Sequence, residues 1–246
     1  MSDLSNLIGE FDAEAQAGEL ASTAFGGGKK TLGALPEGKT VLRILPPRKG
    51  SNLVIVKFWQ HSVNIPGQPN GALVVCPQKM GSGPCPICEK YEELMAEGTD
   101  ESKKSAKAFA PRQKGAMNVI RRAGNGKPEE GPLVWIVGQG ILKDLNELMT
   151  TNDPDIEPRG NFAHPTNGFD VVITRKGKGQ FDTKYDVKGR KNTPMIDNDA
   201  SAMEAKLRNM HDLQRYAKAP TESEILAILS GRKATGGSSA GSQIDE

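Results

Sequence analysis

Cys76-Pro77-Gln78-Lys79-Met80-Gly81-Ser82-Gly83-Pro84-Cys85-Pro86-Ile87-Cys88 contains every cysteine of the chain, and its reading decides how the flanking sequence can fold. Cys85 and Cys88 flank a two-residue spacer that lets two thiolates face one ion, and Gly81 to Pro84 supply the turn leading into it. Cys76 adds a third thiolate. Three cysteines cannot pair fully into disulfides, and no signal-peptide pattern suggests an oxidising compartment, so the expectation is a metal site in a reducing cytosol. His61, upstream of Cys76, is the expected fourth ligand by proximity. Of the other histidines, His164 precedes a proline in a polar loop and His211 sits in a helical-looking tail. The set His61, Cys76, Cys85 and Cys88 predicts one structural Zn2+. The stretch from Pro66 to Pro86 is so rich in Gly and Pro that it is expected to form no hydrophobic core of its own, which argues against ordinary buried thiols.

Outward from this loop, the 246 residues are 36% hydrophobic and 25% charged, enough for one sizeable core with extensions. The longest apolar runs fall far short of a membrane span. The net charge of +2 conceals an uneven distribution. Residues 1–28 carry five acidic and no basic side chains, residues 29–130 seventeen basic and nine acidic, and residues 195–246 six basic and eight acidic. An acidic arm, a basic body and a mildly acidic tail are the asymmetry of a polyanion binder with regulatory ends. Residues 1–30 place Leu4, Leu7, Ile8 and Phe11 at helical spacing and end at Gly26-Gly27-Gly28, which predicts an acidic, flexible arm. Residues 235–246 predict a disordered tail.

The body reads mainly as strands. They are expected over Thr40 to Leu45, stopped by Pro46-Pro47, and over Leu53 to Trp59, ending near His61. A further pair, Ala116 to Arg122 and Leu133 to Val137, is joined by the loop from Gly124 to Pro128. Phe169 to Thr174 and Tyr185 to Val187 form a hairpin about Gly177-Lys178-Gly179. Helices are expected over Glu89 to Glu97, Ile141 to Met149 and Ala202 to Ala217, the last within a helical segment 196–234. The predicted fold class is mainly β with helical additions: an OB-fold, a five-stranded Greek-key barrel, over residues 31–195, with a zinc-binding subdomain inserted at about 60–98 and flexible termini.

Charge and aromatic rings interleave on these strands. Lys103 to Arg122 holds seven basic residues and no acid, with Phe109 among them, and Arg175 to Lys191 holds seven more with Phe181 and Tyr185. Spaced cations follow a phosphate backbone, and ring faces accept unstacked bases without reading their identity, a combination that favours single strands over duplexes. Contacts with nucleic acid are expected from Arg43, Lys57, Trp59, Lys107, Phe109, Arg112, Lys114, Arg121, Arg122, Lys176, Lys178, Phe181, Lys184 and Tyr185. Trp135, on the apolar run from Leu133 to Val137, is expected in the core. Adjacent Phe58 and Trp59 must point to opposite faces of their strand.

Taken together, His61, Cys76 and Cys85-Pro86-Ile87-Cys88, the phrase Val41-Leu42-Arg43-Ile44-Leu45-Pro46-Pro47, and the run from Asp170 to Gly179 followed by Thr183-Lys184-Tyr185 resemble the T-even-phage single-stranded DNA-binding, or helix-destabilising, proteins. The resemblance covers about residues 30–195. It implies an OB-fold core with a zinc subdomain ligated by His61, Cys76, Cys85 and Cys88. It also implies a protein that coats and protects transient single-stranded DNA during phage DNA replication, recombination and repair in the host cytoplasm. The implied partners are single-stranded DNA and, through the termini, replication or recombination proteins. Neither a membrane nor an oligomer beyond weak self-association is implied. The family's arm is basic and its tail strongly acidic. Here the arm is acidic up to Lys29-Lys30-Thr31, and the terminal acids are only Asp245 and Glu246, so the resemblance supports cooperativity on DNA through the arm and recruitment through the tail less than it supports the strand-binding core.

No enzyme is expected. Pro84-Cys85-Pro86-Ile87-Cys88 matches half of the nucleobase deaminase signature, but Val63 stands where a proton-shuttling Glu would follow His61, and Cys76 closes the position a catalytic zinc keeps open. No phosphate-cradling Gly-x-x-x-x-Gly-Lys-Ser/Thr loop occurs. A zinc-ribbon adaptor for another protein, without nucleic-acid affinity, is the competing reading of the same ligands.

Overall fold

The computed structural model of the chain describes residues 31–65, 68–150, 161–177, 182–190 and 195–231. The expected acidic arm and disordered tail, and with them Lys178 and Phe181, lie outside these residues. The described fold is mainly β, with a mixed sheet and a few helices. In chain order the strands are β1 (Thr31–Leu32), β2 (Gly38–Ile44), β3 (Ile55–Ile65), β4 (Gln68–Val75), β5 (Arg112–Arg121), β6 (Glu130–Gly138), β7 (Val171–Lys176) and β8 (Lys184–Gly189). The helices are α1 (Pro86–Ala96), α2 (Asp100–Ala106), α3 (Gln139–Thr150), α4 (Ala200–Arg208) and α5 (Glu222–Leu229), with a 3-10 turn at Gln214–Tyr216. The chain divides into two compact units, whose described parts are residues 31–56 with 115–213 and residues 57–114 with 214–231.

In the first unit the strands run in the order β1-β6-β5-β2-β7-β8. β2 pairs antiparallel with β5, Leu42 opposite Arg121, and with β7, Lys39 opposite Thr174. β7 and β8 form an antiparallel hairpin, whereas β1 and β6 are parallel. β2 ends just before Pro46-Pro47, since proline cannot donate to a ladder. The α3 stripe foreseen from periodicity is buried at Ile141, Leu142, Leu145 and Leu148. It joins Leu42, Ile44, Met117 and Val171 in one apolar core. Trp135 lies in this core, 3% exposed, as expected. A second cluster sets Met203, Leu207 and Met210 against Leu45, Ile120 and Ile196.

The C-terminal helix expected over Ala202 to Ala217 stops at Arg208. Asn118 redirects the chain just beyond, its side-chain carbonyl accepting from the His211 N–H and its amide donating to the His211 carbonyl, at 2.9 Å each. Such tertiary bonds are invisible to local periodicity. α5, closed by a capping box between Thr221 and Glu224, was not expected as a separate helix.

The second unit corrects the reading of its own stretch of sequence. β3 runs on through His61 to Ile65, past its expected end, and pairs with β4 in a hairpin, Val63 opposite Ala72. Gly71 makes the pairing possible: it is left-handed at φ +61°, and a Cβ there would strike the Val63 carbonyl. A core does form across the Gly/Pro-rich stretch, contrary to expectation. Val74, Cys76, Cys85, Ile87 and Cys88 bury against Val63, Ile65 and Ile225. The missing apolar partners come from β3 and from α5, far away in sequence.

Candidate metal centre and nucleic-acid interface

His61 is carried by β3, whose alternation turns Trp59, His61, Val63 and Ile65 to one face and leaves Ser62 and Asn64 exposed. Phe58, on the opposite face, is fully buried, so Trp59 is the half-exposed member of the pair. Cys76 follows β4 directly, and its amide donates to the Trp59 carbonyl at 3.0 Å. Cys85 is the N-cap of α1, and Cys88 stands in the first turn. The helix begins at Pro86, ahead of the expected start at Glu89, because a first-turn proline forfeits no hydrogen bond.

These elements bring His61, Cys76, Cys85 and Cys88 together with their donor atoms all within 4.8 Å of one another, every one of the four buried. Cys76 Sγ lies 3.4 Å from Cys88 Sγ, and His61 Nε2 lies 3.5 Å from Cys85 Sγ and 3.6 Å from Cys88 Sγ. The edges of a tetrahedron around an ion with bonds of about 2.0–2.3 Å are about 3.3–3.8 Å, which these three distances match. Behind the ligands, His61 Nδ1–H donates to the Phe109 carbonyl at 2.7 Å, which fixes the tautomer that aims Nε2 at the thiolates. The Lys79 N–H donates to Cys76 Sγ at 3.3 Å, and the positive end of α1 faces Cys85 and Cys88.

Charge makes the same point. Hydrogen bonds from Cys76 and Cys88 pull the Cys85 thiol well below its usual range, while contact with Cys76 and Cys85 pushes Cys88 far up. Burial opposes a charge on His61, yet its bonds with Cys76 and Cys85 outweigh that and hold it at about 9. Three thiols this close cannot all ionise alone. A divalent cation at their centre removes the conflict, so the residues fit a metal ion. His164 and His211 stay elsewhere: the His164 ring accepts from the Asn167 N–H, and His211 Nε2 donates to the Pro132 carbonyl.

The residues expected at a nucleic-acid surface fall into three groups. In the second unit Lys107 and Arg112 are exposed, and Lys114 is half-buried. Burial, and then the neighbouring Arg112, lower the Lys114 ammonium, a repulsion an anion would relieve. Trp59 and Phe109 pack partly against the core around the cysteines, so each presents only part of its ring to solvent. In the first unit Lys176 lies opposite Lys184 and Arg175 opposite Tyr185 across the β7–β8 hairpin, with Lys176, Lys184 and Tyr185 exposed.

The third group serves other ends. Arg43 and Lys57 were expected on this surface, but both are buried, at 0% and 1% exposure. Arg43 Nη1 lies 3.6 Å from Asp170, and its Nη2 donates to the His164 carbonyl at 2.9 Å. Desolvation lowers this guanidinium to about 10 despite Asp170. Arg122 is divided among Asp170, Glu129 and the carbonyls of Met195 and Ile196. Arg121 pairs with Glu130 at 2.7 Å. The sequence offered no sign that Asp170 would claim two of the cations. Nor did it mark Phe109 as the backbone acceptor behind a ligand, since any residue supplies a carbonyl.

A family model described as gp32 DNA binding protein like matches residues 36–232, which takes in both units and all four metal-binding candidates. No curated protein matches the chain. Among the described residues, no helix is long and apolar enough to cross a membrane.

Proposed function

The chain belongs to the gp32-like family of DNA-binding proteins, and on that basis we propose that it binds single-stranded DNA without regard to sequence, coating transient strands during replication, recombination and repair. The observation that carries this reading is the β7–β8 hairpin, where Lys176 and Lys184 stand opposite one another beside the exposed Tyr185 ring. Phosphates would lie along the lysines and a base against the ring, worth about 1–3 kcal/mol per stacked base. Within the other unit, Lys107, Arg112 and Lys114 are the further cations this reading assigns to the strand. Lys178 and Phe181 belong to the same proposal on their sequence alone, as does an OB-type barrel for residues 31–195.

The ion assigned to His61 and the three cysteines is Zn2+, which this donor set and tetrahedral spacing favour. Its role is structural. Four protein ligands leave no open position for water, and Val63 supplies no proton shuttle. Binding single strands in preference to duplex then shifts melting by mass action alone. The work is proposed for the cytoplasm, with replication or recombination proteins as further partners.

Tryptophan fluorescence tests this directly, because Trp59 is half-exposed while Trp135 is buried. Titration with a thymidine oligomer should quench the signal, steeply less so as salt rises, and a duplex of equal length should bind far more weakly. If neither nucleic acid binds at low salt, the adaptor reading replaces this one.

A further inference from the structure

A cleft of about 510 Å³ opens between α1 and α2 of the second unit, lined by Tyr91, Met95, Asp100, Lys103, Lys104, Lys107 and Ala110. Three cations against one carboxylate give it a net positive wall. Some other surface lysines of the chain are paired, Lys90 with Glu93, Lys143 with Glu147 and Lys188 with Asp186. Lys103, Lys104 and Lys107 enter no ion pair among the described residues, although Asp100 and Glu101 lie within the same helix. Met95 is 40% exposed, and the Tyr91 ring is half-exposed. An apolar, aromatic floor with an unpaired cationic rim, at a volume suited to a small ligand, calls for a flat ring bearing an anion.

We infer that this cleft is a second strand contact, holding one nucleotide of single-stranded DNA with its base on Tyr91 and Met95 and its phosphates on Lys103 and Lys104. The inference rests on the single-strand reading and adds to it a site built wholly by the metal-bearing unit. Lys107 caps the C-terminal end of the same helix, and Arg112 and Lys114 follow it within seven residues, further cations for a strand leaving the cleft. A metal that organises this unit is then needed for the cleft as well as for the thiols.

The test is a thymidine-oligomer titration of the full, metal-loaded chain over a range of salt concentrations, with Lys103→Gln/Lys104→Gln beside the unchanged protein. Both lysines are exposed, so the variant should keep its metal content and melting temperature. The slope of log K against log salt should shrink by about 1.4, as expected when two phosphates of a single strand are no longer neutralised. An unchanged slope overturns the inference while leaving the proposed function standing, and no binding by the unchanged protein would sink that function itself. Tyr91→Leu tests the base separately. It should weaken the thymidine oligomer several-fold and leave an oligomer of abasic nucleotides unaffected; equal losses on both would overturn stacking at Tyr91. If instead a peptide of residues 1–28 binds the cleft in a lysine-dependent way while the DNA slope stays fixed, the cleft belongs to an acidic segment and the inference falls.

Discussion

Asp170 has no exposed surface and faces Arg43, at 3.6 Å, and Arg122, at 3.2 Å. Removing one member of such a buried set strands the others, which costs about 3–5 kcal/mol. Asp170→Asn should therefore lower the urea midpoint sharply. Arg122→Gln should also destabilise the fold, yet leave the salt slope of strand binding unchanged, because its guanidinium is already committed to protein groups. A slope that fell with Arg122 would return that residue to the interface. At the centre of the other unit, Cys88→Ser should lose the metal and lower the melting temperature, as read by metal analysis and calorimetry. The ligand types and the knuckle spacing were legible, because the chemistry of an ion restricts them to few residues. The fate of Arg43 was not: a cation on a strand looks the same in sequence whether it meets solvent or a distant buried aspartate.

Between β7 and β8 the chain turns at Gly177, which is left-handed at φ +86° and so close to the Asp182 carbonyl that a Cβ would collide with it. Gly177→Ala should unsettle the hairpin and weaken strand binding, whereas Lys176→Gln/Lys184→Gln should preserve the hairpin and reduce the salt slope by about 1.4. If the glycine variant binds as before, the hairpin is not the contact. In the same unit, Lys206 joins Glu129 and Asp197 and so ties α4 to the chain around it. Burial works against the Glu129 charge, but Lys206 and Arg122 outweigh it and hold the carboxyl below its usual range. Stability from a depressed carboxylate is fully present above its unfolded pKa and is lost as pH falls through the folded one. Protection of the α4 amides, measured against their intrinsic exchange rates, should therefore fall on acidification below the ordinary carboxylate range, and Glu129→Gln should show the lower protection already at neutral pH. Strands and α3 were legible because alternation and a helical stripe are local patterns. β4 and α2 were not: the first is punctuated by glycine and proline, and the second, Asp-Glu-Ser-Lys-Lys-Ser-Ala, has almost no apolar face to reveal it.

Each of the two units has its own apolar core, and the metal-binding group lies wholly within one of them. Chelation should therefore expose residues 57–114 and 214–231 to hydrogen exchange while β2, β7 and β8 stay protected, a split that mass spectrometry can read. Uniform loss of protection across the chain would mean that the units do not unfold separately. This division was only half legible. The cysteines predict an insertion at about 60–98, whereas the second unit takes in residues 57–114 and 214–231, and a segment such as 196–234 gives no sign that its first half joins one core and Ile225 another. The bond from His61 to the Phe109 carbonyl couples the electron donation of the imidazole to the backbone of the basic segment proposed to meet DNA. Replaced by cobalt(II), the ion would colour the protein, and the absorption band would move when a strand pulls on that segment, so binding could be followed by eye from the metal outward.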